Sequence, residues 1–213
     1  MIVDVFIPVV NRIDLAEEAV RSAKSEFTSV CIIDNTKESV CFKGFCSQCR
    51  VYTPPVPLSF SQTQNIMLIL SGCSGSNFYF FMHSDAKAHE GSVDKLFRLA
   101  QEKDQSGEKW GAIFTNYDSL VAFNTSAIND VGKWDTNLAW YASDVDMYRR
   151  LRLAGYSMEE SGIPVDHNPS QTLKSDPKIA REVDLSIPFR DFYYAKKWGG
   201  LPGHETFKTP FNE

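Results

Sequence analysis

The chain has 213 residues, with 22 Lys and Arg against 27 Asp and Glu, for a formal charge of −5 at neutral pH. Hydrophobic residues make up 43% and charged residues 23%, a globular balance that excludes wholesale disorder. A chain this long buries about 70% of its unfolded surface, enough for one self-sufficient core. No apolar run reaches the ~18 residues of a membrane helix, and a net acidic chain with mixed charges argues against nucleic-acid binding. Residues 1–8 carry no basic n-region, so no signal peptide is expected and a cytoplasmic location follows.

Residues 3–8 are short, apolar and β-branched and end in Pro8, the pattern of a buried strand. Asp14, with Glu17 three residues on, reads as the N-cap of a helix whose apolar stripe is Leu15, Ala19, Val20 and Ala23. A second apolar run, 29–34, ends in Asp34-Asn35-Thr36, so strand, helix and strand open a parallel sheet. Residues 37–48 are polar and read as a loop carrying Cys41 and Cys46, with Cys49 at CxxC spacing. Five Cys leave an odd thiol, and without a leader a reducing compartment is the simplest expectation. A zinc site would need a fourth ligand that no second CxxC or nearby His supplies, so the trio reads as ordinary thiols. Cys31 and Cys73 lie in apolar contexts and read as small core residues. Residues 50–53 form a short strand stopped by Pro54, Pro55 and Pro57, and 61–70 form a helix burying Ile66, Met67, Ile69 and Leu70.

Residues 77–82 are nearly all aromatic, as a central strand covered on both faces should be, and deliver His83-Ser84-Asp85 at their carboxyl end. An amphipathic helix over 92–105 turns Val93, Leu96, Phe97 and Ala100 inward. Strands over 110–114 and 120–123 follow, then a short helix over 125–131 closed by Gly132. Residues 143–154 form a helix capped by Ser143 and ended by Gly155. A strand near 163–165 precedes Asp166-His167, and 176–198 is helical, before a Gly/Pro-rich tail.

A parallel α/β sheet binds ligands at the carboxyl ends of its strands. The turn after the first strand, Val9-Val10-Asn11-Arg12, is too bulky to cradle a pyrophosphate, and neither GxGxxG nor GxxxxGK[ST] is present. That argues against a nicotinamide dehydrogenase and a P-loop enzyme, and the missing GxSxG elbow argues against an α/β-hydrolase. A diphosphate bound here would need a divalent metal on carboxylate to neutralise it.

Four segments in order carry a resemblance: VDVFIPVVNRIDLAEEAV at 3–20, CIIDN at 31–35, Asn65 before NFYFFMHSDA at 77–86, and VGKWDTNLAWYASDVDMYRRLRLAGY at 131–156. They are similar to the opening strand and helix, the uridine-binding strand end, the DXD strand and the acceptor-side helix of GT-A glycosyltransferases. The chain most resembles their family-2 group, and within it the N-terminal domain of chlorovirus enzymes that glycosylate capsid protein; the tail at 193–207 is also similar. The resemblance implies a single GT-A-like α/β domain over 1–213, with a mostly parallel sheet flanked by helices. Residues 1–90 would form the nucleotide-sugar half, 91–175 the acceptor half and 176–213 a C-terminal helical tail. It implies transfer of a sugar from a UDP-sugar, with UDP-rhamnose a candidate, to a hydroxyl on a glycan or glycoprotein, with inversion. Pro8, Asn11, Arg12, Asp34, Asn35, Asn65, His83 and Ser84 would surround the nucleotide-sugar, Asp85 and His167 would hold Mn²⁺ or Mg²⁺, and Asp144 would be the general base.

Three positions depart from the family pattern. His83 stands for the first Asp of DXD, Asn35 for the second Asp of the uridine strand, and Ser143 for the Glu that precedes Asp144. Each site residue also has a plainer reading: a strand-end turn or cap for Asp85, a surface imidazole for His167, an Asx turn for Asp34 and Asn35, and a loop-to-helix connection for Asn11 and Arg12. Asp144 and Asp146 lie about 200° apart on a helix, so only one faces a given site; Asp146 sits at ion-pair spacing from Arg150. Asp144 at an ordinary pKa of ~3.9 would already be ionised at neutral pH. Trp134, Asp135 and Trp140 read equally as acceptor contacts or core. Two rivals stay open at this point: a nucleotide-sugar- or glycan-binding domain without turnover, and an interaction domain organised by the cysteine loop.

Overall fold

The structure, a computed structural model, describes residues 2–36, 42 and 49–213. In chain order the elements are β1 (Val3–Val9), α1 (Ile13–Ala23), β2 (Thr28–Asp34), β3 (Arg50–Tyr52), α2 (Phe60–Ser74), β4 (Phe78–Met82), β5 (Ala86–Ala88), α3 (Ser92–Ser106), β6 (Trp110–Thr115) and β7 (Tyr117–Asn124). They continue as α4 (Thr125–Asp130), α5 (Ser143–Leu153), β8 (Ser157–Glu160), β9 (Val165–His167), α6 (Gln171–Ser175) and α7 (Pro177–Trp198).

Seven strands form one sheet in the order β3-β2-β1-β4-β7-β6-β8. β7 alone among them runs antiparallel to its neighbours, pairing Met82 with Leu120 and Phe114 with Val121. The sheet is thus mostly parallel, as the resemblance implied, and mixed only where β7 lies between β4 and β6. Apolar side chains leave both faces of β1 and β4, which explains their mostly apolar runs. Val3, Val5, Ile7, Phe78, Phe80 and Met82 meet α1 and α3. Phe6, Tyr79 and Phe81 meet α2, α4 and α5. Helices therefore cover the sheet on both sides. β5 and β9 pair antiparallel as a separate ribbon beyond the carboxyl end of β4, with Ala86 opposite His167.

Several local expectations are corrected. Arg12, not Asp14, occupies the N-cap position of α1; Asp14 lies in the first turn, paired with Arg12. Ala142, at φ 64°, precedes α5, and the Ser143 hydroxyl is buried without a hydrogen-bond partner. On α2 the inward face is Ser61, Gln64, Met67, Leu68 and Ser71, while Ile69 is exposed; the capping box Ser59/Gln62 sets that rotation. β5 and β8 have too few apolar residues to register as strands from sequence alone. Cys31 is a buried free thiol, but Cys73 is exposed near the end of α2. Cys49 is disulfide-bonded, which corrects its reading as an ordinary thiol and does not fit the reducing compartment; Cys41 and Cys46 lie outside the described residues.

Candidate active site

The carboxyl end of β4 turns sharply: the His83 amide donates to the Ser119 carbonyl at 3.0 Å, and the Ala86 amide closes the turn on the His83 carbonyl at 3.1 Å. The β5–β9 ribbon then sets His167 beside that turn. Its Nε2 lies 3.1 Å from Asp85 Oδ1, while the Gln171 amide donates to Asp85 Oδ2 at 3.3 Å. The His83 and His167 rings stack 5.0 Å apart. One ligand atom from each of His83, Asp85 and His167 lies within 4.8 Å of the others. These are the metal positions implied for Asp85 and His167, with His83 added as a third donor.

The electrostatics suit a cation. Burial would raise the Asp85 carboxyl, but the hydrogen bond from His167, the charge of His83 and the Gln171 amide outweigh it and hold Asp85 below the usual range. Burial and the neighbouring His167 push the His83 imidazole down to about 4, so its lone pair is available at neutral pH, as a metal ligand requires. Two imidazoles and one carboxylate form a donor set that several first-row divalent ions accept.

A cavity of about 780 Å³ opens over this cluster, lined by Pro8, His83, Ser84, Asp85, Asp144 and His167. Asp144 enters it from the first turn of α5. Its carboxyl is raised, first by burial and then by the charge of Asp118, which corrects the expectation of an ordinary pKa. Asp118 was not anticipated. It follows the tight β6–β7 connection, lines the same cavity, and places Oδ1 3.8 Å from His83 Nε2. The Asn116-Tyr117-Asp118 segment carries only a turn signal in the sequence; the strand pairing brings it to the site.

Five implied site residues stand outside the cavity lining. Asn11, at φ 62°, donates to the Asp176 carboxylate, and Arg12 holds Asp14 at 2.6 Å. Asp34 accepts from the Thr36 amide at 3.1 Å, the Asx turn of its plainer reading, and from the Thr36 hydroxyl at 2.6 Å. Asn35 is spent on the entry to α2, donating to Thr63 Oγ1 at 2.9 Å and accepting from the Leu58 amide at 3.1 Å. Asn65 clamps the backbone of Trp134 in both directions, at 2.9 and 3.0 Å.

The two α5 carboxylates diverge as the helix geometry requires. Asp146 is fully buried and faces α7, accepting from Arg150 Nε at 2.9 Å, Lys197 Nζ at 2.7 Å and Trp198 Nε1 at 2.8 Å. Lys197 also holds Asp135 at 2.7 Å. Trp134 is buried in an aromatic cluster with Phe60, Phe123 and Tyr148, whereas Trp140 lines the cavity. Beyond α7, Gly199 at φ 73° ends the helix, and a Cβ on Gly200 would strike the His204 carbonyl; the tail folds back so that the Thr206 and Phe207 amides both donate to the Trp198 carbonyl.

No family model matches the chain, and no curated protein matches its sequence. Solved structures do match. The chain aligns with S. aureus TarS over 92% of its own length and 44% of that chain, at 13% identity and a TM-score of 0.60. With GalNAc-T7, solved with UDP, GalNAc and Mn²⁺, it shares 10% identity at a TM-score of 0.63, over 92% of this chain and 51% of that one. With glucosyl-3-phosphoglycerate synthase from Mycobacterium tuberculosis, solved with Mn²⁺, UDP and glucosyl-3-phosphoglycerate, it shares 13% identity at 0.60, over 89% and 79%. The chain spans about half the length of the first two. At such identities the likeness is one of fold, and the fold is that of the GT-A glycosyltransferases.

Proposed function

We propose that the chain is a glycosyltransferase that moves a sugar from a UDP-sugar to a hydroxyl acceptor, with inversion, in the presence of a divalent metal. The observation that carries this reading is the His83–Asp85–His167 cluster facing Asp144 across one cavity of a GT-A fold. Solved relatives in fold hold UDP with Mn²⁺, and a TarS fragment of 349 residues holds UDP-GlcNAc. UDP-rhamnose is the donor we favour, on the motif resemblance to the chlorovirus enzymes. We assign residues 1–90 to the donor, 91–175 to the acceptor, and 176–213 to a helical tail.

His83, Asp85 and His167 would hold Mn²⁺ or Mg²⁺, and the ion would offset the diphosphate charge as UDP leaves. Asp144 takes the proton of the acceptor hydroxyl while that oxygen bonds the anomeric carbon and the bond to the UDP oxygen breaks. Burial and Asp118 make Asp144 a stronger base than a solvated Asp. Phe60, Phe81, Leu173, Ile179 and Val183 give the cavity an apolar wall on which a donor or acceptor ring can pack.

Calorimetric titration of UDP with Mn²⁺ and with EDTA tests the reading. UDP should bind with Mn²⁺ and lose about 10-fold or more in EDTA, and Asp85→Asn should lose the difference between the two conditions. Equal binding in both conditions would reject the metal role, and binding of the UDP-sugar with no release of UDP would favour a binding domain.

A further inference from the structure

Resting on that reading, we propose that the acceptor is a neutral sugar ring, held by an aromatic rim of Tyr117, Trp140 and Tyr141, and that acidic or phosphorylated acceptors are excluded.

Tyr117 lines the cavity from the β6–β7 connection, at φ 54° and 72% exposed. A bulky side chain in the left-handed region is strained, and such strain gathers at functional sites. An exposed ring gains little burial to offset it, so the fold itself gives no reason for Tyr at this position. Trp140 and Tyr141 line the cavity from the segment leading into α5, and Tyr141 is 47% exposed. That segment ends in Ala142, a second left-handed residue, immediately before Ser143 and Asp144. Two backbone kinks thus hold aromatic faces around the proposed base. The Tyr117 phenol is raised, first by the partial desolvation of its hydroxyl and then by the charges of Asp118, Asp144 and Glu160. Aromatic faces take the C–H faces of a pyranose, while Asp118 offers an acceptor for its hydroxyls.

The charge pattern sets the specificity. Among the described residues, the cavity lining holds Asp85, Asp118 and Asp144 but no Lys or Arg. Arg12 is a cation that acts on Asp85, on the β1 side, and it is already paired with Asp14. Across the cavity, Lys197 is spent on Asp135 and Asp146. Beyond the proposed metal ion, whose charge the diphosphate would offset, an acceptor bearing a carboxylate or phosphate would meet Asp118 and Asp144 with no Lys or Arg among the described lining residues.

Methyl β-glucoside, methyl β-glucuronide and methyl glucoside 6-phosphate, matched in ring size, test this by saturation-transfer NMR titration on the protein loaded with UDP and Mn²⁺. The glucoside should bind, and the two anionic probes should bind about 10-fold more weakly or worse. Tyr117→Ala and Tyr141→Ala should each weaken the glucoside about fivefold, whereas Tyr117→Phe keeps the ring and should match wild type. Tyr117→Gly relieves the backbone, so it should melt no lower than wild type and still lose glucoside binding. Asp118→Asn should recover glucuronide preferentially. UDP affinity, measured separately, should shift less than about twofold in the tyrosine variants, because the rim faces the base and not the uridine. Equal binding of charged and neutral probes, absence of glucoside binding, or unchanged binding in Tyr117→Gly would each overturn the inference. Failure of the wild type to bind UDP at all would instead sink the functional reading beneath it.

Discussion

Asp146→Ala should lower the melting temperature by about 6–12 °C. Asp146 has no exposed surface, and its two oxygens receive Arg150 Nε, Lys197 Nζ and Trp198 Nε1, all within 2.9 Å. Removing one partner of a buried ion pair costs about 3–5 kcal/mol, because charges stay behind in a low-dielectric interior. Two of the orphaned groups keep a second acceptor here: Lys197 holds Asp135 at 2.7 Å, and Arg150 Nη1 donates to the Val131 carbonyl at 2.5 Å. The lower end, about 3 kcal/mol, is therefore expected. In a domain of this size each kcal/mol moves the midpoint by about 2–4 °C, which gives the stated range. An exposed i,i+4 pair would be worth only about 0.3–0.5 kcal/mol, and its loss at most about 2 °C. Thermal unfolding followed by circular dichroism or calorimetry separates the two. A drop below about 3 °C would refute the reasoning, since it would mean that the network contributes no more than a surface pair.

Asp144→Asn should cut kcat by about 10²–10⁴-fold with UDP affinity nearly unchanged, read by UDP release and calorimetry; a rate within threefold of wild type would reject Asp144 as the base. The acid limb of the kcat profile should lie above 3.8, the ordinary Asp value, because burial and Asp118 raise Asp144 and the base must be ionised to act. Asp118→Asn should move that limb to lower pH, and an unmoved or rising limb would exclude the coupling. His83→Ala and His167→Ala should each shift the Mn²⁺ titration of UDP binding to higher metal concentration, and an unshifted curve would remove that imidazole from the site. Gly200→Ala should destabilise the C-terminal turn, because its Cβ meets the His204 carbonyl; an unchanged melting temperature would show that the tail yields freely.

The N-terminal half of the fold was legible because its elements are long and strongly patterned. β4 is an unbroken apolar run and β1 and β2 are mostly apolar, and each was found within a residue or two. Asp85 and His167 could be paired only through the family pattern, since 82 residues separate them; the short β5–β9 ribbon that joins them is too small to announce itself. Asn35 and Asn65, expected beside the uridine, stand outside the cavity lining. Asn35 and Asn65 have side chains suited to a ligand, yet both bind backbone in the α2 entry and at Trp134, a use that composition does not distinguish. Asp118 and Tyr117 escaped because a turn sequence says nothing about which cavity it faces. Helix geometry did separate Asp144 from Asp146, but it understated Asp146, because its burial depends on a helix more than 30 residues further along the chain.

The reversed direction of β7 gives the molecule a division of labour that can drift in one half alone. The parallel strands offer only their carboxyl ends to the site, whereas β7 offers its amino end, at the tip of a hairpin with β6. Hairpin tips accept substitution and insertion more readily than the ends of buried parallel strands. Exchange of residues 116–118 would therefore remodel one wall of the cavity without disturbing the strand that carries Asp85. Under the proposed function, a lineage built on this frame is free to diversify its acceptor while keeping the handling of its donor fixed.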